Sequence, residues 1–220
     1  MTGDRSVVAA AMIGVVTLVG FLAVMVGGGH GSGVRTVTPE HGPASPIGVP
    51  RPPVARNVYL APFGDFPQED VEALVAHYRE KFDLAIRILP SIPIPDDAID
   101  ATRHQLIAER LLDALAASEA ATRDPNGVVI ALTDADIYIA SQDWRYAYGM
   151  RSLGTLAVVS SARMVDLPAD PDRQMERLRK MVTKNLGILY YGLDVSDDPR
   201  SVLYKDILGP DDLDYMSEDF

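Results

Sequence analysis

The sequence predicts an α/β or α+β domain behind one N-terminal transmembrane helix. Three observations predict it. Residues 7–26 form an uncharged apolar run, residues 27–56 are crowded with glycine and proline, and from residue 57 strand-like and helix-like patterns alternate.

The apolar run is twenty residues long. As a helix it spans roughly 30 Å, the thickness of a bilayer's hydrocarbon core. A cleaved signal peptide has a shorter apolar region that ends in a small-residue cleavage signal. Here GGGHGSG follows instead. Residues 1–6 are then a short tail and residues 7–26 a single-pass membrane anchor. Arginine lies on both sides of the span, so charge does not orient it. The bulk of the chain after the span favours an extracytoplasmic C-terminal domain.

Residues 27–56 hold seven glycines and six prolines without apolar periodicity, the composition of a solvated linker. The domain proper runs over residues 57–220. NVYLAPFG at its start has the pattern of a strand entering a turn. Pro67 opens a helix whose apolar face is Val71, Leu74, Val75, Tyr78 and Phe82. Residues 84–89 alternate like a strand with one wet face, and a proline-rich connection follows. A second helix is expected over residues 105–117, carrying Leu106, Leu111, Leu112 and Leu115. DPNG at residues 124–127 is a turn. VVIAL after it is a buried strand, and DIYIA either extends that strand or forms the next. TLAVVSS is another strand. Residues 172–191 make the last long helix, with Met175, Leu178, Val182, Leu186 and Leu189 in its stripe.

Composition narrows the chemistry. The net charge of −11 argues against nucleic acid or an anionic lipid surface as a partner. The absence of cysteine removes disulfides, thiolate nucleophiles and thiolate metal sites. Of the four histidines, His77 and His104 fall within the domain's helical patterns and are expected to face solvent. Ser160 and Ser161 end a strand with no residue placed by sequence to activate them. Asp134 and Asp136 are expected to bond a turn. Residues 194–220 carry nine acids against two bases but no calcium-loop pattern, and are expected to be a solvated acidic surface.

Five strings in order carry a family resemblance: VYLAPFGDFP (58–67), ILPSIPIP (88–95), ALTDADIYI (131–139), LAVVSSARM (156–164) and the helix entering KNLGILYYGLD. Together they make residues 57–208 resemble the archaemetzincins, small zinc peptidases with the metzincin fold. The resemblance implies a metzincin-like mixed sheet with packed helices, and zinc as the family cofactor. The family's ligands lie in a His-Glu-x-x-His motif, followed by a glycine and a third histidine. Histidines four apart share a helix face and reach one ion, and the glutamate acts as base on the zinc-bound water.

Here the same frame carries other groups. The first histidine falls on Lys184, the glutamate on Asn185, the second histidine on Ile188 and the third on Asp194. Gly192 stands one position late, Ser201 replaces an expected cysteine, and Leu203 replaces the Met-turn methionine. An ammonium does not ligate zinc unless it is deprotonated, an isoleucine does not ligate it at all, and an amide is no base at neutral pH. The expectation is therefore a pseudoenzyme without zinc or any other cofactor, with no catalytic residue. A Lys184–Asp194 ion pair is expected in the metal's place. The alternative is an active peptide hydrolase with a non-standard site. A peptide or protein partner could still add a strand at a sheet edge, with Leu156, Val158 and Ser160 as the matching edge. Trp144, Tyr146, Tyr190 and Tyr191 are candidate contacts, with core packing as their other role.

Overall fold

VYLAP and VVIALT are apolar at almost every position, as suits strands covered on both faces. The computed structural model, which describes residues 52–220, pairs them as neighbours, β1 (Val58–Pro62) and β5 (Val128–Thr133), and every residue in both is buried. They occupy the middle of a five-stranded sheet that also contains β2 (Ile86–Ile88), β7 (Gly149–Arg151) and β8 (Leu156–Ser160), in the order β2-β1-β5-β8-β7. The first four are parallel, and β7 closes one side antiparallel to β8. A smaller sheet contains β3 (Ile99–Asp100), β4 (Gln105–Ile107) and β6 (Ile137–Tyr138).

Alternation of side chains along the central strands divides the core in two. Val58, Leu60, Val128, Ile130, Leu132, Ala157 and Val159 pack against α1 (Gln68–Phe82) and α4 (Pro171–Leu189). Tyr59, Ala61, Val129, Ala131 and Val158 face α2 (Ala108–Ala117) on the other side. A short α3 (Glu119–Arg123) and α5 (Pro210–Tyr215) complete the helices of the described residues. The mixed α/β architecture is as expected.

Helix α4 positions the site. Asp170 caps its start by accepting from the Arg173 amide at 3.1 Å, and Pro171 fits the first turn, where its missing N–H is not needed. Leu178, Met181, Val182, Leu186 and Leu189 hold it to the sheet. The Tyr78 hydroxyl ties it to α1 by donating to the Arg179 carbonyl at 2.8 Å, with Thr183 Oγ1 at 3.0 Å.

Several expectations are corrected. The second helix begins at Ala108, because Gln105 and Leu106 are drawn into β4: the Leu106 amide donates to the Asp136 carbonyl, and Gln105 Nε2 donates to the Asp136 carboxylate and the Arg145 carbonyl. DIYIA forms β6 in the smaller sheet and does not extend β5. The segment over Leu156, Val158 and Ser160 is not an edge. It is β8, paired with β5 on one side and β7 on the other, and the sheet's edges are β7 on this side and β2 on the far side. The acidic C-terminal stretch is also not simply solvated. Asp214 pairs with Arg177, Glu218 with Arg179, and Asp219 with Lys81.

The expected anchor at residues 7–26 and most of the linker lie outside the described residues. Among the described residues, no helix is long and apolar enough to cross a membrane. Near the linker's end, Arg56 reaches back onto the domain and donates from Nη1 to the Leu189 carbonyl at 3.2 Å.

Candidate functional site

The second half of α4 turns one flank toward the sheet's β7 edge and toward the chain that follows the helix. Lys184, Asn185 and Ile188 lie on that stretch. Lys184 and Asn185 are buried, and Ile188 is partly buried against the core. The chain leaves α4 through Gly192, whose φ of 70° is the left-handed conformation that glycine adopts without strain. It then folds into a closed loop. The Ser196 amide donates to the Leu203 carbonyl at 2.9 Å and the Lys205 amide to the Ser196 carbonyl at 3.1 Å.

That loop puts two residues against α4. Leu203 lies beside Gly187, so that a Cβ built on Gly187 would stand 2.7 Å from Leu203 Cδ2 and 2.6 Å from Phe220 Cε1. The methionine position of the Met-turn is thus still filled by an apolar side chain under the helix. Tyr204 turns its carbonyl to the Lys184 Nζ, which donates to it.

The expected Lys184–Asp194 ion pair is absent. Asp194 is exposed, and no carboxylate approaches Lys184 within 4.0 Å among the described residues. The left-handed turn at Gly192 carries the chain away from α4 and leaves Asp194 in solvent. Arg151, on β7, reaches the residue next to Lys184. Its Nη1 donates to Asn185 Oδ1 at 3.4 Å, while Asn185 Nδ2 donates to the Met181 carbonyl at 2.8 Å. Sequence reasoning missed Arg151. Its three-residue strand contains a glycine and has no alternation to read, so only the pairing with β8 locates it.

The electrostatics follow from this arrangement. Burial pulls the Lys184 ammonium down to about 7, the nearby Arg151 charge adds to that, and Asp206 opposes it. Burial also lowers Arg151 below the ordinary guanidinium range. A zinc ion needs lone pairs from imidazole, thiolate or carboxylate. Lys184 presents donors, Asn185 has both ends of its amide engaged, and Ile188 has no heteroatom. As a donor set these residues do not fit the metal.

The other candidates serve the fold. Ser160 Oγ donates to the Ala135 carbonyl at 2.7 Å and is buried. Asp136 holds Arg163 through contacts of 2.6 to 3.1 Å and accepts from Gln105 Nε2, distant partners in place of the turn expected, while Asp134 is exposed and the turn is bonded by Thr133 Oγ1, which accepts from the Ala135 amide. Tyr190 and Tyr191 meet edge to face over the core, Tyr191 also touches Phe220, and Trp144 packs on the α2 side. Tyr146 donates to the Leu208 carbonyl at 2.6 Å beneath the Arg163 guanidinium. His104 is exposed. His77 is half-buried, 3.4 Å from Glu218 Oε1, where burial lowers its pKa; it is not the solvent-facing residue expected.

Known proteins were compared with this frame. The chain is 30% identical over 156 residues to the archaemetzincin of Natronomonas pharaonis, an alignment covering 67% of this chain and 85% of that one. The crystal structure of the Methanopyrus kandleri archaemetzincin superposes with a TM-score of 0.61 at 26% identity, over 75% of this chain and 89% of that chain. The Archaeoglobus fulgidus archaemetzincin, solved in complex with malonate, shares the fold with a TM-score of 0.62 at 23% identity, over 74% of this chain and 94% of that chain. No family model matches.

Proposed function

The chain belongs to the archaemetzincin family, and from that premise we propose that it is a non-catalytic member, held at a membrane by its apolar segment and binding extended peptides without zinc. The observation that carries the reading is the buried Lys184 side chain, which donates to the Tyr204 carbonyl. The resemblance matches Lys184 to the first zinc ligand and Asn185 to the base, so on this reading a protein amine and an amide stand where the family has a ligand and a base. Polarisation of a scissile carbonyl and activation of water both lose their agents.

Peptide binding asks for less. Strand addition needs only an open row of backbone groups. Around β7 the Ser160 amide donates to the Tyr148 carbonyl and the Ser152 amide to the Leu156 carbonyl, both at 2.9 Å. By the alternation of an antiparallel pair, Met150 bonds inward to Val158. Gly149 and Arg151 then turn their amides and carbonyls outward. A peptide lying there runs beside the second half of α4.

The test is to incubate the full chain with unstructured peptide pools and to follow binding and cleavage together. The reading expects saturable binding and intact peptides, with or without chelator. Peptide cleavage abolished by chelator would overturn it in favour of an active metallopeptidase. Cleavage indifferent to chelator would favour a hydrolase with a different arrangement of groups.

A further inference from the structure

The two other buried cations among the described residues, both on α4, each have an acid. Arg177 donates to Asp166 at 2.9 Å and to Asp214 at 2.7 Å, and Lys180 meets Glu176 at 2.6 Å. Lys184 and Arg151 differ. Neither has a carboxylate within 4.0 Å among those residues, although acids outnumber bases in the chain by 31 to 20. Each makes one protein hydrogen bond, Lys184 to the Tyr204 carbonyl and Arg151 to Asn185 Oδ1 at 3.4 Å. An ammonium has three donors and a guanidinium five, so most of their capacity is unused.

Lys184 is buried and Arg151 half-buried, so two nearby like charges repel each other and lose part of their hydration. A single anion beside them relieves both penalties. The site's place adds a second constraint. Arg151 ends β7, its backbone opens on the free edge, and its side chain turns toward α4, where it meets Asn185. A strand added to β7 would therefore bring its own end, or one of its side chains, to these cations. A guanidinium presents paired N–H groups that match a carboxylate.

Resting on the strand-addition reading above, we propose that Arg151 and Lys184 form a carboxylate site, which takes the C-terminal carboxylate or an acidic side chain of the peptide bound along β7. The preference it confers is for acidic or free-ended peptides, in a domain whose net charge would otherwise repel them.

The test uses the full chain in a non-ionic detergent and calorimetric titration with short peptide pools of random neutral sequence. One pool ends in a free carboxylate, one in a carboxamide, and one in a carboxamide with a single central glutamate. Acetate alone is a fourth probe, read by thermal unfolding. A charge-assisted pair predicts that the free-acid or the glutamate pool binds about tenfold or more tightly than the neutral pool, and which of the two does so identifies the carboxylate's source.

In Arg151→Gln the ratio of the preferred pool's affinity to the neutral pool's falls to about one, whatever the neutral affinity itself becomes, and Lys184→Met has the same effect. Should Lys184→Met fail to fold by circular dichroism, the edge substitution Arg151→Gln carries the test by itself. Equal affinities for all three pools in the unmutated protein would overturn the carboxylate site and leave strand addition standing. A preference that survives Arg151→Gln would overturn it as well. If no pool binds, strand addition fails. In that case protection by acetate that disappears in Arg151→Gln supports the carboxylate site, and no protection ends it.

Discussion

The two halves of α4 treat buried positive charge in opposite ways. In the first half, Arg177 is 1% exposed and spreads its donors over Asp166, Asp214 and the Met164 carbonyl. Lys180, 2% exposed, donates to the Leu213 carbonyl beside Glu176. Those acids hold Arg177 above the ordinary guanidinium range. In the second half, Lys184 is 5% exposed with another cation nearby, and its affinity for a proton falls. One helix at one depth thus contains a locked half and an electrostatically open half. The difference separates a charge used to fasten the C-terminal segment from a charge left available at the cleft.

The largest expected effect comes from unlocking the first half. Arg177→Met strands two carboxylates and frees α5 from α4, and should lower unfolding free energy in urea by about 3–5 kcal/mol. A loss below about 1 kcal/mol would mean that the partly exposed aspartates take up water at little cost.

In the second half the sign reverses. Lys184→Met removes a buried charge that has no acid partner and should raise stability by about 1–3 kcal/mol at pH 6. The folded-state pKa of about 7 lies below the ordinary lysine value of 10.5, so between the two the unfolded chain binds the extra proton. The penalty on the unmutated protein is therefore full below about pH 7 and fades as pH approaches 10.5. Unfolding curves for the two proteins should converge over that window. Parallel curves would show that Lys184 is not desolvated as described.

A smaller effect is expected at Gly187, whose missing Cβ makes room for Leu203 and Phe220. Gly187→Ala should cost about 1–3 kcal/mol through overpacking, less about 1 kcal/mol recovered from helix propensity. Adding Leu203→Ala should recover part of that loss in a double-mutant cycle, since it clears one of the two clashing side chains. Smallest is Glu176→Gln, which strips Lys180 of its acid but leaves the Leu213 carbonyl, and should cost about 1 kcal/mol.

The sequence made the centre of the molecule legible and its margins less so. VYLAP and VVIALT could hardly be anything but buried strands, and the stripe from Met175 to Leu189 marked α4 nearly to its ends. The helical pattern also put Lys184 and Asn185 within α4, where both are buried. β7 was invisible because its conformation is imposed by β8, and with it went the true sheet edge and Arg151. Gln105 and Leu106 kept a helical pattern but were captured by Asp136. The partners of Arg177 were hidden for a similar reason, since Asp214 lies 37 residues away and no local rule links them. The Lys184–Asp194 pair failed differently. The turn at Gly192 sends Asp194 to solvent, while burial in α4 holds Lys184 against the Tyr204 carbonyl.

The central claim is that a protein ammonium occupies the place of the family's zinc. Elemental analysis of the full chain, purified without chelator and then exposed to zinc and desalted, tests it most directly. Far less than one zinc per chain is predicted, with no change in unfolding temperature on adding zinc or chelator. One zinc per chain, removed by chelator with loss of stability and lost in Lys184→Met, would contradict it.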